Sequence, residues 1–194
     1  MMTAAKSDLC SDARRIAEVL QSSGAVALIP TETVYGLVCR ADDPLAVEKI
    51  RKLKHRDPAK FFGWFIRDWR EAEKHGLVVS SEAEKLFERY FPGAVTLILN
   101  KTDGTTQAVR TPDHPLITRL LKHFDVPLIQ TSANASGMAD ALSLEQALSQ
   151  LDGEPDISFD GGDLAPGAKG STIVDTTQNP PVIIRQGLTV VSFE

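Results

Sequence analysis

This 194-residue sequence lacks the features that would place it among membrane, secreted or metal-binding proteins. No apolar run approaches the roughly 20 residues that a membrane helix needs, and the N-terminal segment has no apolar stretch of the kind found in secretory signals. Two cysteines, Cys10 and Cys39, are too few for a disulfide framework or a zinc-ligand pattern, and the four histidines show no metal-ligand spacing. We therefore expect a cytoplasmic protein that has no membrane contact and no metal held by its own side chains.

The sequence also lacks the positive charge expected of a general nucleic-acid-binding protein, because its net charge is −5. The average conceals a basic cluster in residues 49–60, which hold six lysines and arginines and one acid, a local charge of +5 that leaves −10 on the rest of the chain. A basic cluster on an acidic protein suits a small anion better than a long polyanion.

The hydrophobic pattern mixes helices and strands without strict alternation, which predicts a mixed parallel and antiparallel sheet in one α/β domain over residues 1–194. Helix starts are predicted at Asp43-Pro44, an N-cap followed by an N1 proline, and at Ser80 or Ser81. The predicted helices are residues 8–23, 44–56, 81–91, 115–124 and 143–151, and the predicted strands are 25–30, 61–66, 95–99, 106–110, 126–131, 157–159, 172–174 and 182–184.

The densest polar motif is the run PTETVYGL at residues 30–37, which directly follows the apolar segment 25–29. Its proline ends the strand, because proline has no backbone N–H to continue a ladder. Open α/β sheets bind their ligands at strand ends. The motif therefore predicts a binding site, although a polar turn between two core strands fits the local pattern as well.

Three further segments carry polar groups to the ends of helices or strands. The cations Lys54, Arg56 and Lys60 could converge on an anion across a helix end, or could form a solvated basic helix face. Arg110 ends an apolar strand, where it could clamp a carboxylate or make a surface ion pair of little value. The small residues of TSANASG at 131–137 would allow a ligand to approach the backbone, but they also fit a simple polar turn.

The most loop-like stretch is residues 160–170, with four glycines and one proline, and we expect it to cover something or to move. Its glycine spacing around Lys169 resembles a P-loop, but a strand follows where a P-loop needs a helix, so we reject that interpretation. Nowhere does the sequence show a nucleophilic triad, a metal cluster or paired acids. The chemistry should therefore depend on positioning and charge stabilisation, as in reactions at phosphate.

Together, these segments resemble the YrdC/TsaC family of L-threonylcarbamoyladenylate synthases. The motifs that carry the resemblance are PTETVYGL, KHR, FPGAVTLIL, AVRTPDHP, TSANASG, GSTIVD and IIRQG, which lie within about residues 12–187. The resemblance implies the short, single-domain type, with a twisted mixed sheet, flanking helices and a basic concave cleft. It also implies a nucleotidyltransferase that joins L-threonine, bicarbonate or CO₂, and ATP into threonylcarbamoyl-AMP and pyrophosphate. A tRNA threonylcarbamoyl transferase complex would then modify adenosine 37 of tRNA.

The same resemblance assigns roles to ten residues. Binding of L-threonine falls to Thr33, Arg110, Ser132 and Ser171, with Arg110 on the carboxylate. Contacts with ATP fall to Arg56, Lys60, Thr106, Asn134 and Arg185. Lys54 and Arg56 would be catalytic, because they would offset charge as pyrophosphate departs. Mg²⁺ would accompany ATP, held mostly by the phosphates and water.

Three departures from the family pattern bear on the amino-acid pocket. Phe61-Phe62 stands where relatives have Pro-Leu. Phe65 lies near the position at which relatives usually have a histidine, and Val38 occupies a position that is usually glycine. A family member that binds RNA or that acts on another amino acid therefore stays open. A non-catalytic RNA-binding paralogue would bind structured RNA without ATP turnover. A third hypothesis is a carbamoyl-transfer relative, but the lack of zinc-finger or acylphosphatase-like segments argues against this function.

Overall fold

The computed structural model describes residues 8–193 as helices packed on both faces of one sheet. The helices are α1 (Leu9–Leu20), α2 (Pro44–Lys54), α3 (Ser81–Tyr90), α4 (Pro115–Leu121) and α5 (Leu144–Ser149), with a 3₁₀ helix at Trp69–His75. The strands are β1 (Ala27–Ile29), β2 (Gly36–Arg40), β3 (Gly63–Phe65), β4 (Leu77–Val78), β5 (Val95–Lys101), β6 (Thr106–Arg110), β7 (Leu128–Ser132), β8 (Ile157–Ser158), β9 (Thr172–Asp175) and β10 (Val182–Arg185).

The described strands form a mixed sheet in the order β10-β9-β5-β6-β3-β7-β2-β1-β8, with β4 paired to β5 off this path. The pairs β3–β6, β5–β9 and β1–β8 are parallel. The pairs β1–β2, β2–β7, β3–β7, β5–β6 and β9–β10 are antiparallel. The predicted mixed α/β architecture is therefore confirmed.

Alternate residues of β1 and β2 enter two different cores, which shows that helices cover both faces at this end of the sheet. Ala27 and Val38 join the core formed with α1 and α4, whereas Leu28 and Leu37 join the core formed with α2 and α5. This division follows from the period of two along a strand. A third core packs α3 against β5 around Phe87.

The N-cap residues in the sequence correctly predicted where two of the helices begin. Asp43 accepts hydrogen bonds from the backbone N–H groups of Leu45 and Ala46, at 3.0 and 3.1 Å, and Pro44 occupies the first turn of α2. Ser80 accepts from the N–H of Ala83 at 3.2 Å and so caps α3. Both contacts satisfy N–H groups that a helix leaves without intrahelical partners.

Several predicted boundaries were wrong, because tertiary contacts end or begin these elements. Helix α2 stops at Lys54 rather than residue 56, since His55 adopts the left-handed conformation with φ 48°. The predicted strand at 61–66 shrinks to Gly63–Phe65, and β2, β4 and the 3₁₀ helix were missed. No helix within residues 8–193 is long and apolar enough to cross a bilayer.

Candidate active site

A cavity of about 240 Å³ opens on one face of the sheet. Ala108 and Arg110 line it from β6, and Gln130 and Ser132 line it from β7. Residues two apart on a strand point to the same side, so these four share a face. Loops before and after the strands complete the walls of the cavity.

The floor of the cavity continues the core that lies beneath α1 and α4. On this face Val38 and Phe65 are buried in that core, whereas Gly36 and Gly63, two residues earlier on the same strands, line the cavity. A side chain on Gly36 would bring its Cβ within 3.2 Å of the Thr131 carbonyl, so glycine permits the close pairing of β2 and β7 here.

The loop between β1 and β2 is held by the hydroxyl of Thr31. This hydroxyl donates to the carbonyl of Val34 at 2.8 Å and accepts from the N–H groups of Thr33 and Val34 at 3.0 and 3.1 Å. The Thr31 and Thr33 hydroxyls also lie 2.7 Å apart, and either of them can be the donor in this contact. The loop is a rigid turn and also part of the cavity wall.

The hydroxyl of Thr33 lines the cavity and is oriented by two neighbours. It lies 2.7 Å from the hydroxyl of Thr31 and accepts from Nη1 of Arg110 at 3.1 Å. A hydroxyl has one proton and two lone pairs, so Thr33 keeps hydrogen-bonding capacity for a ligand.

Arg110 is only 3% exposed and is fixed on three sides. Its Nε donates to the Gly93 carbonyl at 3.0 Å, Nη1 donates to Thr33, and Nη2 lies 2.5 Å from Oε1 of Glu32. The contact between Nη2 and Glu32 is an ion pair without an aligned hydrogen bond among residues 8–193. The guanidinium thus lines the cavity as a fixed cation that can attract an anionic ligand.

Lys54 lies behind the cavity wall rather than in it. Its ammonium is 1% exposed and donates to the backbone carbonyls of Ser132 and Asn134, while the Ser132 hydroxyl donates to Oδ1 of Asn134. Burial lowers the pKa of Lys54 to about 8, with a smaller contribution from the charge of Arg56. Lys54 and Asn134 together orient Ser132, whose hydroxyl reaches the cavity as an acceptor.

Arg56 turns back from the end of α2 to form the cationic rim of the cavity. Its Nη2 donates to the carbonyl of Phe61 at 2.7 Å, and its guanidinium lies 4.8 Å from the centre of the Phe62 ring. Its Nε is buried and has no hydrogen-bond partner among the described residues. Burial lowers the pKa of Arg56, as does the charge of Arg51. A buried N–H without an acceptor marks a place for an anion.

The opposite wall is built from the segment before β9. The hydroxyls of Ser171 and Thr96 lie 2.7 Å apart, and Arg185 donates through Nε and Nη2 to the Ser171 carbonyl at 3.1 and 2.7 Å. Gly187 allows the chain to cross here, since a Cβ on it would lie 2.2 Å from the Gly170 carbonyl. Arg185 also faces Asp140 across the cavity, and burial lowers the pKa of its guanidinium.

The structure brings most of the predicted site residues to one cavity. Those that line it are Thr33, Arg56, Arg110, Ser132, Ser171 and Arg185. The sequence reasoning did not single out three other lining residues, Thr96, Gln130 and Asp140. A polar threonine inside the apolar strand at 95–99 was a signal that could have revealed Thr96, whereas Asp140 carried none.

Three predicted ATP contacts, Lys60, Thr106 and Asn134, lie outside the cavity lining. Lys60 is exposed in the loop after Arg56, and Thr106 begins β6, four residues from Arg110 and so about 13 Å along an extended strand. Their contact with ATP stays a prediction, as does that of the buried Asn134.

Two expectations about neighbouring segments can be compared with the structure. Phe65 and Val38 are buried in the core and do not line the cavity, so their departures from the family pattern do not reshape its walls directly. The glycine-rich loop is anchored at its start, where Tyr35 donates through its hydroxyl to the Gly162 carbonyl at 2.8 Å and accepts from the N–H of Gly161 at 3.0 Å.

Within residues 8–193 no three His, Cys, Asp or Glu side chains are arranged to hold a metal ion. Asp140 contributes a carboxylate to the cavity lining. Mg²⁺ commonly binds through one or two carboxylates together with substrate phosphates and water. The donor set therefore fits an ion that arrives with a polyphosphate and does not fit a resident metal cage.

Comparison with known sequences identifies relatives of this chain. The profile of the Sua5/YciO/YrdC family, described as "Telomere recombination", matches residues 19–187. Threonylcarbamoyl-AMP synthase of Pyrococcus abyssi is 33% identical over 182 residues, which cover 89% of this chain and 53% of the relative. The enzyme of the same name from Bacillus subtilis is 34% identical, with 88% and 52% covered. This chain thus spans about half the length of these two relatives.

Solved structures share the fold. Escherichia coli YciO superposes with a TM-score of 0.84 at 26% identity, over 95% of this chain and 93% of that one. Pyrococcus abyssi Sua5 in complex with L-threonine gives a TM-score of 0.77 at 32% identity, over 91% and 53%. Given the sheet order, the motif-lined cavity and these matches, the chain belongs to the Sua5/YciO/YrdC family.

Proposed function

We propose that this chain is a threonylcarbamoyl-AMP synthase, which condenses L-threonine, bicarbonate or CO₂, and ATP, and releases pyrophosphate. The observation that carries the proposal is the presence of two separate cationic positions in one cavity. Arg110 offers a buried guanidinium on one side, and Arg56 offers a buried Nε without a hydrogen-bond partner among the described residues at the rim. A ligand pair with a carboxylate and a polyphosphate would satisfy both. Relatives that bear this enzyme name, and one solved with L-threonine, support the assignment.

The amino-acid half of the site follows from the direction of its hydrogen bonds. In this proposal the carboxylate of L-threonine accepts from the guanidinium of Arg110. The hydroxyl of Ser132 donates to Asn134, so it accepts from the amine, and the hydroxyl of Thr33 is proposed as the second acceptor. The amine would then lie between two acceptors that hold its nitrogen in place.

The nucleotide half uses the cations at the rim. A phosphate oxygen would accept from Nε of Arg56, and Arg185 would supply a second positive charge across the cavity. Both guanidiniums are partly desolvated, which strengthens their attraction for an anion. Lys60, Thr106 and Asn134 are proposed to add contacts with ATP.

The reaction needs no protein nucleophile. The threonine amine combines with CO₂ to form a carbamate and loses a proton. A carbamate oxygen attacks the α-phosphate of ATP, the bond between this phosphorus and the bridging oxygen to the β-phosphate breaks, and pyrophosphate leaves with that oxygen. Lys54 keeps Ser132 in place through the carbonyls that it binds, and Arg56 offsets charge at the phosphates.

Mg²⁺ bound to ATP would neutralise charge on the phosphates as pyrophosphate departs. In this proposal the ion enters with the nucleotide, and Asp140 is the carboxylate in the cavity lining that could meet it. The product would pass to the transferase complex that modifies tRNA.

Mass spectrometry of the product with ¹³C-bicarbonate tests this proposal. Incubation with ATP, Mg²⁺, L-threonine and labelled bicarbonate should give threonylcarbamoyl-AMP that is heavier by one mass unit than the unlabelled product. Tight binding of structured RNA with no such product would instead favour the non-catalytic RNA-binding alternative.

A further inference from the structure

Phe61 is an exposed aromatic side chain at the mouth of the cavity. It is 85% exposed although it lines the cavity, whereas its neighbour Phe62 is 7% exposed and belongs to the core. The two rings point in different directions from adjacent residues. Phe61 therefore offers a flat apolar face to whatever occupies the mouth of the cavity.

The backbone around this ring is held by two arginines. Arg56 donates to the carbonyl of Phe61 at 2.7 Å, and Arg51 donates to the carbonyls of Asp57 and Lys60 at 3.2 and 3.3 Å. The guanidiniums of Arg51 and Arg56 each lie 4.8 Å from the centre of the Phe62 ring. The loop is thus preorganised, which lowers the entropy cost of using Phe61 in binding.

Arg56 links this ring to the proposed phosphate position. The same guanidinium that holds the Phe61 backbone also carries the free, buried Nε at the rim of the cavity. A ligand that places a phosphate on Arg56 and carries an aromatic base beyond a sugar can bring that base to Phe61. ATP has this form, whereas amino acids and base-free polyphosphates do not.

We propose that Phe61 is the platform on which the adenine ring of ATP stacks, an assignment that rests on the synthase function proposed above. Stacking on an aromatic side chain is sequence-tolerant, since every nucleobase has a π-face. Phe61 would therefore contribute affinity for a nucleotide without strict discrimination among bases. Selection for adenine itself would need other groups.

Calorimetric titration of ATP and of inorganic tripolyphosphate, which lacks the base and the sugar, separates this contribution from phosphate binding. Phe61→Ala should weaken ATP binding by about five- to one-hundredfold, the range expected for loss of one stacked base. It should leave tripolyphosphate binding unchanged. Phe61→Tyr keeps the ring and should bind ATP as the unmodified protein does. Phe193→Ala removes another exposed phenylalanine and is the matched control, with no effect on either ligand.

Two results would overturn the proposal. One is unchanged ATP affinity in Phe61→Ala, and the other is an equal loss of affinity for ATP and tripolyphosphate, which would mean that the substitution disturbs Arg56 instead. Failure of the unmodified protein to bind ATP would contradict the synthase function itself. Because that result comes from the unmodified protein alone, failure of the synthase proposal can be distinguished from failure of the Phe61 proposal.

Discussion

Nη2 of Arg110 lies 2.5 Å from Oε1 of Glu32, yet this nitrogen makes no hydrogen bond within the described residues. Glu32 therefore compensates the charge of a buried guanidinium. In the proposed reaction this leaves Arg110 stable in the absence of substrate and still able to bind a carboxylate. The pair connects the β1–β2 loop to the end of β6.

We expect Glu32→Gln to lower the free energy of unfolding by about 1–3 kcal/mol, because it leaves the charge of Arg110 uncompensated in a site of low exposure. Saturating L-threonine should restore part of this loss, since its carboxylate replaces the missing charge. Urea unfolding with and without L-threonine measures both effects.

Glu71→Gln is the matched control for this substitution, because it removes the partner of Arg67 in a surface ion pair. Glu71→Gln should lower the free energy of unfolding by less than about 1 kcal/mol, and L-threonine should not restore this loss. A threonine-induced stabilisation no larger in Glu32→Gln than in the unmodified protein would contradict the role given to Arg110.

Thr33→Val should raise the KM for L-threonine by about tenfold or more, because it removes an acceptor for a charged amine. Thr33→Ser keeps the hydroxyl and should stay within about threefold. Binding of 3-hydroxybutyrate, which has no amine, should change far less in Thr33→Val. Equal losses for the two ligands would show that Thr33 does not contact the amine.

Arg56→Ala should lower turnover at saturating ATP by at least about tenfold, since a cation at the phosphates typically contributes more than about 1.4 kcal/mol to the transition state. Arg51→Ala removes the guanidinium on the same Phe62 ring but outside the cavity lining. It should change turnover less than about threefold. Equal losses of turnover in Arg56→Ala and Arg51→Ala would show that Arg56 does not stabilise the transition state.

Lys54 should make the stability of the fold depend on pH. Its pKa is about 8 in the folded chain and about 10.5 when unfolded, so between these values the unfolded chain binds more protons and stability rises with pH. The lowering of the Lys54 pKa from 10.5 to about 8 corresponds to a change of about 3 kcal/mol in the free energy of unfolding.

A comparison with Lys54→Met isolates this contribution, because other titrating groups cancel. The stability of the unmodified protein relative to the variant should be lowest below pH 8 and should increase towards pH 10.5. Chemical unfolding across this range measures the difference. A difference that does not vary with pH would mean that the ammonium is not desolvated as the structure indicates.

Local signals predicted much of the fold, and long-range contacts decided the rest. The cap at Asp43 and the strand at 106–110 depend on neighbouring residues, and both were predicted correctly. The direction of the Lys54 side chain depends on carbonyls of Ser132 and Asn134, far along the chain, and no helical pattern could reveal it. The sequence left open whether Lys54 and Arg56 converge on an anion or form a solvated basic helix face, whereas the structure ends the helix at His55 and buries the Lys54 side chain.

The sequence predicted which segments contribute to the candidate site better than it predicted how their side chains are arranged. The polar motifs named Thr33 and Arg110, and the structure places their side chains 3.1 Å apart. The pairing of Arg110 with Glu32 was not foreseen, because neither residue's neighbours in sequence indicate the partner. Thr106 shares a strand with Arg110, but only the register of β6 shows how far it lies from the cavity.

The measurement that tests the central claim most directly is pyrophosphate release under systematic omission of substrates. Release should require ATP, L-threonine and bicarbonate together. L-serine should support it at least about tenfold less well, since it lacks one methyl group. Pyrophosphate release that is independent of L-threonine, or none at all from protein that binds ATP, would contradict the account.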